Sequence, residues 1–149
     1  MSATSSSRPS SLPRLIARVV LGLFLVFTGI AHLTFGRAEF RAQVPDWLPV
    51  DADVVVVGSG VAEVVLGAAL IAIPRYRVAV GWIVAAFFVA IFPGNISQYL
   101  DRVDAFGLTS DAARAVRLIF QPLLVLWALW STVAWRDRDT LWRMVRRRR

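Results

Sequence analysis

The chain contains no cysteine, no lysine and a single histidine in 149 residues. Without a thiol there is no disulfide exchange, no thiol nucleophile and no thiolate metal site. One histidine, His32, cannot supply both axial ligands of a bis-histidine haem, so neither a metal site nor a covalent cofactor is expected. Charge is scarce too: 18% of residues are charged, against roughly a quarter in ordinary globular domains.

Apolar residues are what the chain has in excess. They make up 57% of it, mean hydropathy is +0.60, and they cluster. Residues 15–33, 54–73, 78–92 and 118–135 are almost free of charge, and the third run reaches a similar length if it continues through FPGNISQYL to Tyr99. Helices of about 17–25 apolar residues span a bilayer core. The expected fold is therefore all-α: a polytopic membrane protein, an antiparallel bundle of four transmembrane helices. The spans are expected at about 15–35, 53–73, 77–99 and 112–135, within a transmembrane domain of residues 14–136. The first run is longer than the roughly 7–15 residues of a signal-peptide core and lacks a small-residue cleavage site, so it reads as a retained helix.

All 17 basic residues are arginine, and the net charge is +7. Their placement decides what the charge means. Twelve fall before span one, between spans two and three, or after span four, opposed only by Asp137 and Asp139. The other side holds Arg37, Arg41, Arg102 and Arg114 against seven acids. Arginine-rich loops face the cytoplasm, so both termini are expected inside a bacterial plasma membrane. The charge is a topology signal, and no nucleic-acid partner is expected.

Between the spans the sequence is uneven. Residues 1–13 are rich in serine and proline and read as a disordered cytoplasmic tail. In the loop GRAEFRAQVPDWLPVDAD, Val44, Trp47, Leu48 and Val50 suit a cap lying in the outer interface. Thr109, Ser110 and Asp111 are candidate N-caps for the last helix. Trp127, Trp130 and Trp135 suit an aromatic belt at the inner interface. Residues 137–149 read as a basic cytoplasmic tail that anchors the C-terminus inside, in preference to a lipid-specific interfacial helix.

Polar residues inside the spans carry the functional question. At about 1.5 Å per residue, His32, Asn95, Gln98, Arg117, Gln121 and Glu63 all fall in the outer half of the bilayer. A carboxylate as deep as Glu63 costs about 2.5–3.5 kcal/mol on insertion scales. Ser59, Gly60 and Gly67 share its face and let a neighbouring helix come close, so Glu63 is expected to point into the bundle. Two states are open: neutral and hydrogen-bonded to Gln121 or Asn95, or ionised and paired with Arg117. Pro93 removes an amide from the helix ladder and leaves the Val89 carbonyl without its partner. Asn95 and Gln98, with Gln121 opposite, are the expected cover for that break, which otherwise reads as a helix end fraying at the interface. Such a network can simply fix helix register. Ionisable groups within spans more often mark a ligand or proton site. The candidate pocket is His32, Glu63, Asn95, Arg117 and Gln121, supported by Ser59, Pro93 and Gln98.

The segments GIAHLTFG, PDWLP, GSGVAEVVLGAALI, AIFPGNISQ and RLIFQPLLVLWALW, in this order, resemble the DoxX family of small four-helix membrane proteins. The resemblance runs from about Val20 to Trp135. It implies a membrane subunit or accessory of a redox, quinone-linked or oxidative-stress system, acting beside a redox-enzyme partner. The motif positions it carries over are His32, Glu63, Asn95, Arg117 and Gln121. With no cysteine here, sulfur chemistry would reside on a substrate or partner. No self-contained catalytic motif is present, so the chain is at most a subunit of a membrane oxidoreductase, with a quinone as the expected ligand. The alternative is a non-catalytic scaffold that assembles partner enzymes. A transporter fits less well, because no polar lining continues from Glu63 to the cytoplasmic side.

Overall fold

A computed structural model describes residues 11–139. The Ser-rich segment before residue 11 and the arginine run after residue 139 lie outside them, and with them the bulk of both expected tails. Among the described residues there is no strand. The helices are α1 (Leu12–Leu33), α2 (Arg37–Arg41), α3 (Ala52–Ala72), α4 (Arg77–Leu100) and α5 (Asp111–Ser131), with one 3-10 turn, Pro74–Tyr76, between α3 and α4. Four of them are long and apolar enough to cross a bilayer, and together they form the expected four-helix membrane bundle.

The helices run up, down, up and down in a ring, in the order α1, α3, α4, α5. The closest seam is between α1 and α3, and glycine explains it. A Cβ on Gly29 would lie 2.6 Å from the Gly60 carbonyl oxygen, and one on Gly67 would lie 2.5 Å from that of Gly22. Backbone therefore meets backbone, as small residues allow in membranes. Leu21, Leu25, Leu70, Val84, Phe88 and Ala128 fill the interior. Leu23, Phe27, Val65, Ile83 and Ile119 face outward, which suits a lipid surround.

One end of the bundle carries the 3-10 turn, the start of α1 and the close of α5; we call it the terminal end. The opposite cap end carries α2 and the loops before α3 and after α4. Three boundaries differ from expectation. Helix α1 begins at Leu12, inside the segment expected to be disordered, because Pro13 sits in its first turn, where no ladder amide is lost. Helix α4 continues through Pro93 to Leu100 without a break, so its polar end does not fray. Helix α5 stops at Ser131, short of residue 135. Val133 takes a left-handed φ of 62°, and the Ala134 amide turns back to the Leu129 carbonyl at 3.0 Å. The turn is further held by Trp82 Nε1, which donates to the Ala134 carbonyl at 3.2 Å.

At the cap end, Asp51 caps α3 by accepting from the amides of Asp53 and Val54, at 2.8 and 3.3 Å. Ser110 caps α5 by accepting from the Ala113 amide at 3.2 Å. Helix α2 is pinned to α3 by Arg37 and Asp53, whose Nε–Oδ1 distance is 2.7 Å. Buried Arg114 reaches back to Asp104 at 2.7 Å and to the Arg102 carbonyl at 3.2 Å. Glu39 on α2 accepts from the Phe106 amide at 2.6 Å, which ties the two loops together.

Candidate functional site

Beneath these loops, at the cap end, lies a cavity of about 470 Å³ reached by all four spanning helices. His32, Glu63, Asn95, Arg117 and Gln121 all line it, as do Ser59 and Pro93. The loop expected to lie in the interface covers it, with Val44, Pro45 and Leu48 turned inward.

The polar groups form two sets. The first joins α1 and α3. His32 Nδ1 lies 2.9 Å from the Thr28 carbonyl and 2.9 Å from Glu63 Oε2. A carbonyl can only accept, so Nδ1 carries a hydrogen and donates it. The imidazole is stacked on Phe40 of α2, with centroids 3.3 Å apart. Glu63 is 4% exposed. Its Oε2 approaches His32 but accepts no hydrogen bond, so it is a buried acceptor with capacity to spare.

The second set joins the loop, α4 and α5. Arg117 Nη2 donates to Gln43 Oε1 at 2.8 Å and Nε donates to Asn95 Oδ1 at 3.2 Å. Asn95 Nδ2 donates to Gln121 Oε1 at 2.9 Å, and Gln121 Nε2 donates to the Phe88 carbonyl at 2.6 Å. The guanidinium lies 5.0 Å over the Phe106 ring. Among the described residues it makes no ion pair. Gln43 is 9% exposed, and its Nε2 makes no hydrogen bond.

Three expectations are corrected. Glu63 faces His32, and neither Arg117, Gln121 nor Asn95 bonds to it, because the glycine seam sets α3 against α1. Arg117 is held by two amide oxygens and not by a carboxylate. Gln98 is buried outside the cavity, where its Nε2 donates to the Val103 carbonyl at 3.4 Å. The ladder near Pro93 is reached by Gln121 alone, at the Phe88 carbonyl. Two site residues had not been expected, Gln43 and Phe40. A signal for Gln43 existed: it is the only side-chain amide in the loop between α1 and α3.

The arrangement can hold a small polar head against apolar walls. It presents a carboxylate oxygen, an amide donor and a cation without a counter-charge, beside Phe24, Phe88 and Phe120. Buried polar groups left unbonded cost roughly 1–3 kcal/mol each, and a ligand that bonds them recovers that cost. Residues 21–132 match the model of a family described as a domain of unknown function, DUF8561, and the chain belongs to that family. No curated protein and no solved structure matches it.

Proposed function

We propose that this member of the DUF8561 family is a quinone-binding membrane subunit or accessory of a redox system, in the manner its resemblance to DoxX proteins implies. The supporting observation is that Glu63 Oε2, 2.9 Å from His32 Nδ1 but accepting no hydrogen bond, and the unbonded Gln43 Nε2 belong to residues lining the cavity that Arg117 also lines. The residues suit a quinone head. One carbonyl oxygen takes hydrogen bonds from Arg117 and Gln43, and Glu63 takes or returns the proton of a ring hydroxyl. The aromatic walls suit the planar ring. Electron transfer resides on the partner, and this chain binds, orients and handles the proton. The cap end faces outward and both termini face the cytoplasm, a reading that rests on arginine placement.

The test is binding of a water-soluble short-chain quinone to the purified protein in detergent, read by quenching of tryptophan fluorescence. Wild type binds, and Glu63→Gln and Gln43→Ala each weaken binding by roughly tenfold, the loss expected for a buried hydrogen bond to a polar ligand. Absence of binding by wild type, or equal binding by both variants, rejects the proposal.

A further inference from the structure

At the terminal end, α1 begins beside the close of α5, and Trp127 Nε1 donates to the Ala17 carbonyl at 3.0 Å. A second cavity, of about 320 Å³, opens between these two ends. Leu126, Leu129, Val133 and Trp130 give it apolar walls, and Arg14 and Arg136 line it as cations. Among the described residues, no acidic one lines it. Neither arginine makes an ion pair among the described residues. The Arg14 guanidinium is set in place 5.7 Å over the Trp130 ring.

We propose that this groove binds one anionic phospholipid, with the phosphate between Arg14 and Arg136 and an acyl chain along Leu126, Leu129 and Val133. Three observations carry it. The depth is right: Arg14 lies in the first helical turn of its span and Arg136 just past the end of its own, the level at which head groups sit. The charge is right, since basic pockets between spanning helices attract anionic head groups. The selectivity follows from the tryptophan. A quaternary ammonium is recognised by a free aromatic face, but Arg14 already lies over Trp130, so a choline head would meet two cations and no cage. The inference is independent of the quinone reading, because it uses the opposite end of the bundle.

The experiment is native mass spectrometry of the full chain released from mixed phosphatidylglycerol and phosphatidylcholine of matched acyl chains. Wild type retains one phosphatidylglycerol per chain, in roughly tenfold preference over phosphatidylcholine. In R14Q/R136Q that preference falls to parity. L126W fills the apolar part while leaving both charges, and it also loses the lipid. Leu126 is 62% exposed, so this variant folds, and thermal unfolding in phosphatidylcholine checks both variants. The proposal is overturned if wild type retains the two lipids equally, if either variant retains phosphatidylglycerol as wild type does, or if inorganic phosphate alone displaces it.

Discussion

The two ends of the bundle treat polar groups in opposite ways. At the terminal end, Thr132 is fully buried and gives its hydroxyl to the Ala128 carbonyl at 2.6 Å. The indoles of Trp82 and Trp127 likewise end on backbone oxygens. Buried Arg18, whose Nε is unbonded, is one exception. At the cap end the polar groups bond to one another, surround a cavity and keep two atoms in reserve. Satisfied polar groups lock helices together; unsatisfied ones in a cavity make a place for something else. Inside the bundle, the terminal end closes its polar groups on backbone oxygens, and the cap end leaves a cavity among them.

Substituting a glycine at each end breaks the comparison most severely. A Cβ on Gly81 runs into the buried side chain of Thr132, whereas one on Gly94 meets only the Gln43 carbonyl, at 3.3 Å. Gly81→Leu should destabilise the bundle by about 3 kcal/mol or more, the upper range for overpacking. Gly94→Leu should cost about 1 kcal/mol and fill the cavity, so the proposed quinone binding should be lost while the protein stays folded. Unfolding in detergent and fluorescence quenching separate the two outcomes.

Next in size is the loop that follows α4. Arg114 is 5% exposed and holds Asp104, Asp111 and two backbone carbonyls. Arg114→Met should cost about 1.5–3 kcal/mol in lost charged hydrogen bonds. Hydrogen exchange should rise in residues 101–110 and not at the terminal end. A protected loop in that variant would show that the two ends are not energetically separate.

Glu63→Gln sharpens the comparison by dividing stability from binding. The substitution removes a buried carboxylate, so stability should change by less than about 0.5 kcal/mol or rise, even as the proposed quinone binding weakens. A large loss of stability would make Glu63 a structural group.

The smallest effect is expected at Arg37. The hydrogen bond that Arg37 donates to Asp53, and then the charge of that carboxylate, hold the Arg37 guanidinium above its ordinary range. Because the folded value is raised, its contribution is fully present below the unfolded value and is lost only as pH rises through the folded one. That window lies far above neutrality. The unfolding temperature should therefore show no pH dependence from Arg37 near neutral pH, and Arg37→Gln should barely move it at moderate salt.

Much of this was legible in the sequence, because hydropathy and helix rise fix depth. Four spans and the common level of His32, Glu63, Asn95, Arg117 and Gln121 follow from them. Which residues touch depends on the order of helices around the bundle, and no single helix encodes it. Glu63 was open to three partners and took a fourth. The matched seven-residue spacing of Gly22 with Gly29 and of Gly60 with Gly67 was the available clue that α1 would lie against α3. The early stop of α5 was hidden because Val133, a β-branched residue, occupies a left-handed conformation usually left to glycine. Gln98 misled because its one-turn spacing from Asn95 suggested a shared face, whereas it turns under the loop that follows α4.

The bond from Gln121 to the Phe88 carbonyl has reach beyond its own helix. A backbone oxygen cannot be turned into a donor, so it dictates which way the Gln121 amide points. Asn95 must then give to Gln121, while Arg117, which can only donate, makes Asn95 and Gln43 receive and leaves the Gln43 NH₂ group unspent. The pocket's chemical polarity is thus written from both ends, by one peptide unit four residues before Phe92 and by a guanidinium that can only donate. Gln121→Glu, conservative in shape, would put an anion against that oxygen and break the chain at its backbone end.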